Sequence, residues 1–213
     1  MIHTDAQWEL ANALMATEAI RRKSQSPGGK GFRLKLHEKN PDAPLSPIYV
    51  DLRRLRSFPD VMDRAVQVFG ELSKTLTFHV LADVPTAATP FVAILSHELR
   101  VPMITPREPK THGAGGSIDG HVVPGKTALV IDDLITKADS KLEAIRTLEA
   151  HGLRVHDVVV LIDREQGGVQ ELERAGYLLH AAFTLRSLLD FYVRTGAMSH
   201  EEYDEVMTYL GNA

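Results

Sequence analysis

The sequence predicts an α/β protein: a parallel sheet flanked by helices on both faces. Three observations carry that expectation. Runs dense in aliphatic and β-branched residues recur at 77–81, 101–105, 127–132, 155–162 and 177–183, and single helical patterns fill most of the spaces between them. Strands alternating with helices form βαβ crossovers, which cover both faces of a parallel sheet. The run at 155–162 is almost continuously apolar, as befits a strand buried on both sides. Charges follow two of these runs directly, Asp132-Asp133 and Asp163-Arg164-Glu165, and an open parallel sheet binds its ligands just beyond the carboxyl ends of its strands.

Composition narrows the possibilities. A chain of 213 residues with 44% hydrophobic content has enough material for one domain with a sizeable core. A formal net charge of −4 gives no electrostatic case for nonspecific nucleic-acid binding. With no cysteine, disulfides and thiolate metal sites are excluded. No apolar run approaches the length of a membrane span. Asp5 and Glu9 interrupt the N-terminal apolar pattern, which therefore does not read as a secretory signal. The expectation is a cytoplasmic protein acting on small molecules, with no nucleic-acid or membrane partner.

In chain order, residues 5–22 read as a helix, with Trp8, Leu10, Leu14 and Ile20 on one face and Arg21, Arg22 and Lys23 at its C-terminal end. The breaker segment 24–30 follows, so residues 1–30 are expected as a helix and linker ahead of a main domain at 31–213. A short strand is expected at 32–36, a loop at 37–44, and a β-prone segment at 46–51. Pro59 opens a helix whose apolar face is Val61, Ala65, Val68, Phe69 and Leu72. The strand at 77–81 leads through Ala82–Thr86 into a helix reaching about Leu99, with Phe91, Ile94 and Leu95 facing in. Helices at 184–195 and 199–210 close the chain, the latter with Ser199 and Glu202 spaced as a capping box.

The central stretch is TALVIDDLITKADS, 127–140: an apolar strand ending in paired carboxylates, a loop, then a helical pattern from Lys141 to Ala150. Free backbone N–H groups and the helix dipole favour phosphate where a loop enters a helix. Two acids beside such a pocket fit a phosphorylated sugar; an ordinary capping acid and a strand-end acid are the competing reading. The loop 106–120, PREPKTHGAGGSIDG, holds four glycines, two prolines and the cations Arg107, Lys110 and His112. Loops of that length are usually functional, and these cations suit an anion; a solvated hairpin connection is the alternative. Arg164 follows a strand, where its planar guanidinium could grip a carboxylate through two bonds; the alternative is a local ion pair in a turn. Of the ten histidines only His112 is a chemical candidate, and no HExxH spacing occurs.

Taken together and in this order, these segments resemble the orotate phosphoribosyltransferases of the type I phosphoribosyltransferase family, including the corresponding domain of UMP synthases. The resemblance runs from about Phe32 to Leu189. It rests on Ser46–Arg53 (SPIYVDLR), Val84-Pro85 with Pro90, Glu108–Gly113 (EPKTHG), Ile131–Ser140, and above all Leu161–Gly168 (LIDREQGG). It implies a type I phosphoribosyltransferase-like parallel sheet flanked by helices, with a smaller N-terminal hood and a flexible catalytic loop. The implied reaction is orotate plus PRPP to orotidine 5′-phosphate and pyrophosphate. By this resemblance Asp132 and Asp133 hold the ribose hydroxyls, and Thr136, Lys137, Ala138, Asp139 and Ser140 surround the 5′-phosphate. Arg107, Lys110 and His112 meet the pyrophosphate, with Lys110 and His112 closing over it. Lys35, Tyr49, Val50, Thr136 and Arg164 serve the orotate. The resemblance also implies Mg²⁺, carried mainly by PRPP and reached through water by Asp132 or Asp133, and a homodimer whose catalytic loop is shared across the interface.

The chain departs from the usual family pattern at Lys137-Ala138-Asp139. Ala138 takes a position that is commonly glycine, which predicts strain if that residue must adopt positive φ. Asp139 puts a carboxylate near the expected phosphate, which Lys137 could offset by pairing with it. Pro106, Arg107 and Thr86-Ala87 also differ from the common residues. Two other functions stay open on these grounds: a noncatalytic PRPP- or nucleotide-responsive regulator on the same fold, and a phosphoribosyltransferase for another base.

Overall fold

The computed structural model describes residues 3–34, 36–107 and 116–211. Helix α1 (Asp5–Ala16) opens with a capping box, in which Thr4 Oγ1 accepts from Gln7 N–H and Gln7 Oε1 accepts from Thr4 N–H at 2.7 Å. It is shorter than the expected helix over 5–22. Glu18 takes φ 55, which no helix interior tolerates, and Ile20–Arg22 leaves as strand β1. The helix α2 (Leu36–Lys39) and strand β2 (Ile48–Val50) follow. β1 and β2 pair antiparallel, Ile20 opposite Val50, as a small ribbon apart from the main sheet. Of the strand expected at 32–36, the described residues show one bridge, between Phe32 and Ser46.

A 3₁₀ segment at Leu52–Ser57 leads into α3 (Pro59–Ser73), with proline in its first turn, where the missing N–H costs nothing. The sheet then builds in βαβ steps: β3 (Val80–Asp83), α4 (Thr89–Leu99), β4 (Met103–Pro106), β5 (Ile118–Asp119), β6 (Thr127–Ile135), α5 (Asp139–Ala150), β7 (Arg154–Asp163), α6 (Gly168–Arg174), β8 (Leu178–Thr184), α7 (Leu185–Arg194) and α8 (His200–Gly211). The strand order is β5-β4-β3-β6-β7-β8, parallel except for β5. The sheet and its crossovers are those the sequence predicts, with β5 added at the edge.

Strand periodicity divides the core. Leu129 and Ile131 face a cluster with Leu10, Phe69, Phe91, Leu161, Phe183 and Leu188, beneath α1, α3, α4 and α7. Ala128 and Val130 face the other way, toward Ile145, Leu148 and Leu172 of α5 and α6. Helix α1 is fixed to the first layer by polar bonds as well: Gln7 Nε2 donates to Ala182 O at 2.8 Å and Tyr192 Oη donates to Ala11 O at 2.7 Å, both buried.

From β3 the chain crosses to β4 on one side, and from β6 it crosses to β7 on the other. Strand order therefore reverses between β3 and β6, and such a switch point opens a crevice at the carboxyl edge. Asp83, the pair Asp132-Asp133, and Arg164 emerge on that edge from three adjacent strands. The loop after β4 leaves and returns on paired arms, Thr105 opposite Asp119 and Pro106 opposite Ile118, and Arg107 N–H donates to Ser117 O at 2.8 Å. Its base is thus a hairpin, which the sequence offers as one of two readings.

Candidate active site

The acid pair lies inside β6 rather than after it. The strand continues to Ile135, with Leu134 opposite Ile162 and Ile135 opposite Asp163 on β7. Successive side chains of a strand point to opposite faces, so the two carboxylates have different surroundings. Asp132 shares the face of Ala128 and Val130, under α5, and there it meets Lys141. Lys141 Nζ lies 2.5 Å from Asp132 Oδ2 and donates to Leu134 O at 2.6 Å. Asp132 Oδ1 accepts from Asp133 N–H, and Asp133 Oδ1 from Leu134 N–H, both at 2.8 Å. Burial raises the Asp133 carboxyl to about 7, and the Asp132 charge adds to the rise; the Leu134 N–H and Lys141 pull the other way.

Residues Thr136 to Ala138 form a tight loop before α5. Ala138 has φ −88 and ψ 0, and its methyl is fully buried in the second core cluster. The strain expected from alanine at a glycine position is therefore absent, because this loop does not use a left-handed residue there. Ala138 N–H donates to Glu171 Oε2 at 2.8 Å, which ties the loop to α6. The first helical bond of α5 runs from Leu142 N–H to Ala138 O, leaving the N–H groups of Asp139, Ser140 and Lys141 without intrahelical acceptors. Those donors and the positive end of the helix dipole suit an anion. Lys137, Asp139 and Ser140 are exposed, Thr136 is half-buried, and Lys137 does not pair with Asp139.

Arg164 follows β7 and is only 8% exposed. Its Nε and Nη2 are buried and have no hydrogen-bond partner among the described residues. Burial lowers the guanidinium's pKa, while the nearby phenols of Tyr209 and Tyr49 act in the opposite direction. The neighbouring acids are committed elsewhere: Asp163 Oδ1 accepts from Glu165 N–H, and Glu165 Oε2 accepts from Arg186 N–H. The local ion pair considered from sequence does not form. A buried cation with unpaired donors is costly, and a planar carboxylate ligand would satisfy two of them together. The Arg164 backbone N–H donates to Ile135 O at 2.9 Å, which fixes this residue against the end of β6.

The remaining candidates are spread more widely. Tyr49 is half-buried on β2, stacked on Phe32 at 5.4 Å between ring centres, with the Arg21 guanidinium 4.9 Å from its own ring centre. Val50, on the opposite face of that strand, is buried in the first core cluster. Arg107 Nε lies 2.7 Å from Asp119 Oδ1 across the hairpin. Lys35, Lys110 and His112 fall outside the described residues. Asp132, Asp133, Thr136–Ser140 and Arg164 come together at adjacent strand ends.

Sequence reasoning missed three residues here. Lys141 falls on the stripe with Ala144, Ile145 and Leu148 that faces the sheet, and a lysine on an apolar stripe is a signal. Asp83 ends an apolar strand just as Asp163 does; it is fully buried and accepts hydroxyl bonds from Thr89 and from Thr105, the latter at 2.5 Å. Glu171 gives no local signal, because its partner is a backbone N–H brought close only by the fold.

No family model matches the chain. Among curated proteins, the orotate phosphoribosyltransferase of Pyrobaculum aerophilum is 35% identical over 167 residues, covering 78% of this chain and 86% of that protein. A bifunctional PyrF/PyrE enzyme of Nostoc sp. is 35% identical over 158 residues; the match covers 74% of this chain and spans 33% of that longer protein. Among solved structures, UMP synthase of Leishmania donovani superimposes with a TM-score of 0.83 at 31% identity, over 99% of this chain and 43% of that one. The resemblance carried by LIDREQGG and the acid-pair strand thus extends to sequence identity along most of the chain and to the whole fold, and on that ground the chain belongs to the orotate phosphoribosyltransferase family.

Proposed function

We propose that this chain is a glycosyltransferase that moves the phosphoribosyl group of PRPP onto orotate, releasing pyrophosphate and forming orotidine 5′-phosphate in pyrimidine (UMP) biosynthesis. The observation that carries the reading is the buried guanidinium of Arg164, whose Nε and Nη2 have no partner among the described residues, close to the end of the strand that bears the acid pair. A base bearing a carboxylate is the ligand that such a donor selects. Asp133 and Asp132 would accept the ribose hydroxyls, and the N–H groups opening α5 would hold the 5′-phosphate. With sugar and base each anchored at its far end, the reacting atoms are oriented before bond exchange, which supplies much of the rate gain in such transfers. Lys110 and His112 would close over the pyrophosphate and stabilise its growing charge.

Mg²⁺ fits this arrangement as a substrate-borne ion. Among the described residues no group of three or more His, Cys, Asp or Glu side chains could hold a metal by itself. Magnesium is commonly held by one or two carboxylates together with substrate phosphates, and Asp133 could reach it through water. When bound, the ion would neutralise charge on the pyrophosphate. A homodimer sharing its catalytic loop, and a cytoplasmic location, belong to the same reading. No helix is long and apolar enough to cross a membrane among the described residues. The ordinary backbone of Ala138 leaves the α5 N–H groups open to phosphate, as both turnover and a PRPP-responsive regulator require. What supports turnover is the retention of Lys110, His112 and Arg164, since a regulator has no need of a catalytic loop.

The test is direct. Purified protein with PRPP, Mg²⁺ and orotate should consume orotate, followed by the fall in its ultraviolet absorbance. Turnover of a different base with none of orotate would sink the substrate assignment, and PRPP binding without any turnover would favour the regulator.

A further inference from the structure

Lys141 occupies a position where an aliphatic side chain would simply extend the core. The stripe it shares with Ala144, Ile145 and Leu148 packs on the sheet, yet here an ammonium is carried inward and left only 4% exposed. Desolvating a charge is expensive, and replacing a buried ion pair by apolar residues is often neutral or stabilising. Stability alone is therefore a poor reason for this pair. Its geometry is more informative. An ammonium has three protons to donate. One meets Asp132 Oδ2 at 2.5 Å and another meets Leu134 O at 2.6 Å. The third is nearest Ser140 Oγ at 3.5 Å, too long for a strong bond. Ser140 is exposed in the first turn of α5, within the phosphate loop. A single side chain thus links the sugar carboxylate, the strand that bears it and the start of the phosphate-binding helix.

We propose that Lys141 is a positioning residue for PRPP, holding Asp132 and the 136–140 loop in the arrangement that receives ribose 5-phosphate. This rests on the phosphoribosyltransferase reading above. Asp132 has one oxygen on Lys141 and the other on the Asp133 N–H, so the carboxylate is fixed before the sugar arrives, and binding need not order it. Without the ammonium, two adjacent acids lose their shared cation, Asp132 becomes free to rotate, and the loop loses its tie to Leu134. The loss falls on PRPP. Arg164, just after β7, and Tyr49, on β2, make no bond to Lys141, so these two orotate contacts are spared.

The experiment compares wild type with Lys141→Met, Lys141→Arg and the exposed control Lys74→Met. Steady-state kinetics are run against each substrate, and PRPP binding is measured by calorimetry. Lys141→Met is expected to raise KM for PRPP about tenfold or more, while KM for orotate moves less than about twofold and kcat less than about threefold. Lys141→Arg, which keeps the cation, should recover part of the PRPP loss, and Lys74→Met should match wild type. PRPP affinity within about twofold of wild type in a folded Lys141→Met overturns the proposal. So does a parallel fall in kcat and in both substrate affinities that Lys141→Arg does not relieve, since that marks a purely structural residue. If Lys141→Met does not fold, Lys141→Gln is read by the same criteria. Wild type that neither binds PRPP nor turns over orotate defeats the phosphoribosyltransferase reading, and this inference with it. Wild type that binds PRPP, beside a Lys141 variant that binds it equally well, defeats this inference alone.

Discussion

Gly168 N–H donates to Thr136 O at 3.0 Å, and a β-carbon on Gly168 would lie 2.5 Å from Ile135 Cγ1. The strand end that bears the phosphate loop and the turn that follows Arg164 therefore touch through backbone. Glycine is required for the closeness of the approach, not for its φ, which is helical.

Gly168→Ala follows directly from that contact. The methyl must push α6 away from Ile135 and Thr136, and Glu171 on the same helix then retreats from the Ala138 N–H. Overpacking of this kind costs about 1–3 kcal/mol. A lowered thermal midpoint is expected, together with weaker binding of both substrates, because both halves of the site hang on the same contact. Normal stability and kinetics in Gly168→Ala would show that the helix yields freely.

Arg164 presents the opposite balance. Its Nε and Nη2 are buried without a partner among the described residues, so the free protein bears a cost that a carboxylate ligand would relieve. Arg164→Met should raise the stability of the ligand-free protein by about 1–3 kcal/mol while weakening orotate binding by about a hundredfold. Arg164→Lys should rescue little, since an ammonium cannot reproduce the two parallel bonds. Thermal unfolding without ligand, set beside KM for orotate, checks both halves. A destabilised Arg164→Met would mean that the guanidinium has a structural partner after all.

These relationships explain how far the sequence could be read. The acid pair and Arg164 were legible because each directly follows an apolar run, although the pair proves to lie two residues inside the end of β6, and parallel sheets deliver such residues to one edge. The N-terminal segment misled because Ile20 satisfies a helical stripe as well as a strand, and the choice was made by Val50, its partner across the ribbon. Residue-type rules also overstated the difficulty at Ala138, since the φ of a loop residue is set by the loop's closure. Glu171 was invisible because a carboxylate that binds a backbone N–H 33 residues away leaves no pattern in the chain.

Asp133 should impose a pH dependence on folding. Its carboxyl is raised from 3.8 to about 7, so between those values the folded protein keeps a proton that the unfolded chain has released. The contribution of this group is fully present below the lower value and is lost as pH rises through the upper one. Asp133→Asn cannot ionise and should flatten that decline. The difference between wild type and variant should grow by about 2–3 kcal/mol from about pH 5 to about pH 8, measured by urea unfolding in chelator-treated buffer. Parallel stability curves for the two proteins would mean that Asp133 is ionised throughout.

Asp83 ties together parts of the site that lie on different strands. Its carboxylate ends β3 and is fully buried, and its two oxygens accept the hydroxyls of Thr89, at the start of α4, and Thr105, one residue before the end of β4. The hairpin that carries the 106–120 loop is thereby anchored to the strand beside β6. Asp83→Ala leaves two half-buried hydroxyls without an acceptor, at a cost of about 1–3 kcal/mol. Asp83→Asn keeps one acceptor and offers a donor to which a rotating hydroxyl can adapt, so most of that loss should be recovered. Thr105→Val removes a single bond and should cost about 1 kcal/mol. If all three variants unfolded at the wild-type midpoint, the hairpin would owe its placement to the sheet alone, since β4 would then be held by its pairing with β3 and not by this carboxylate.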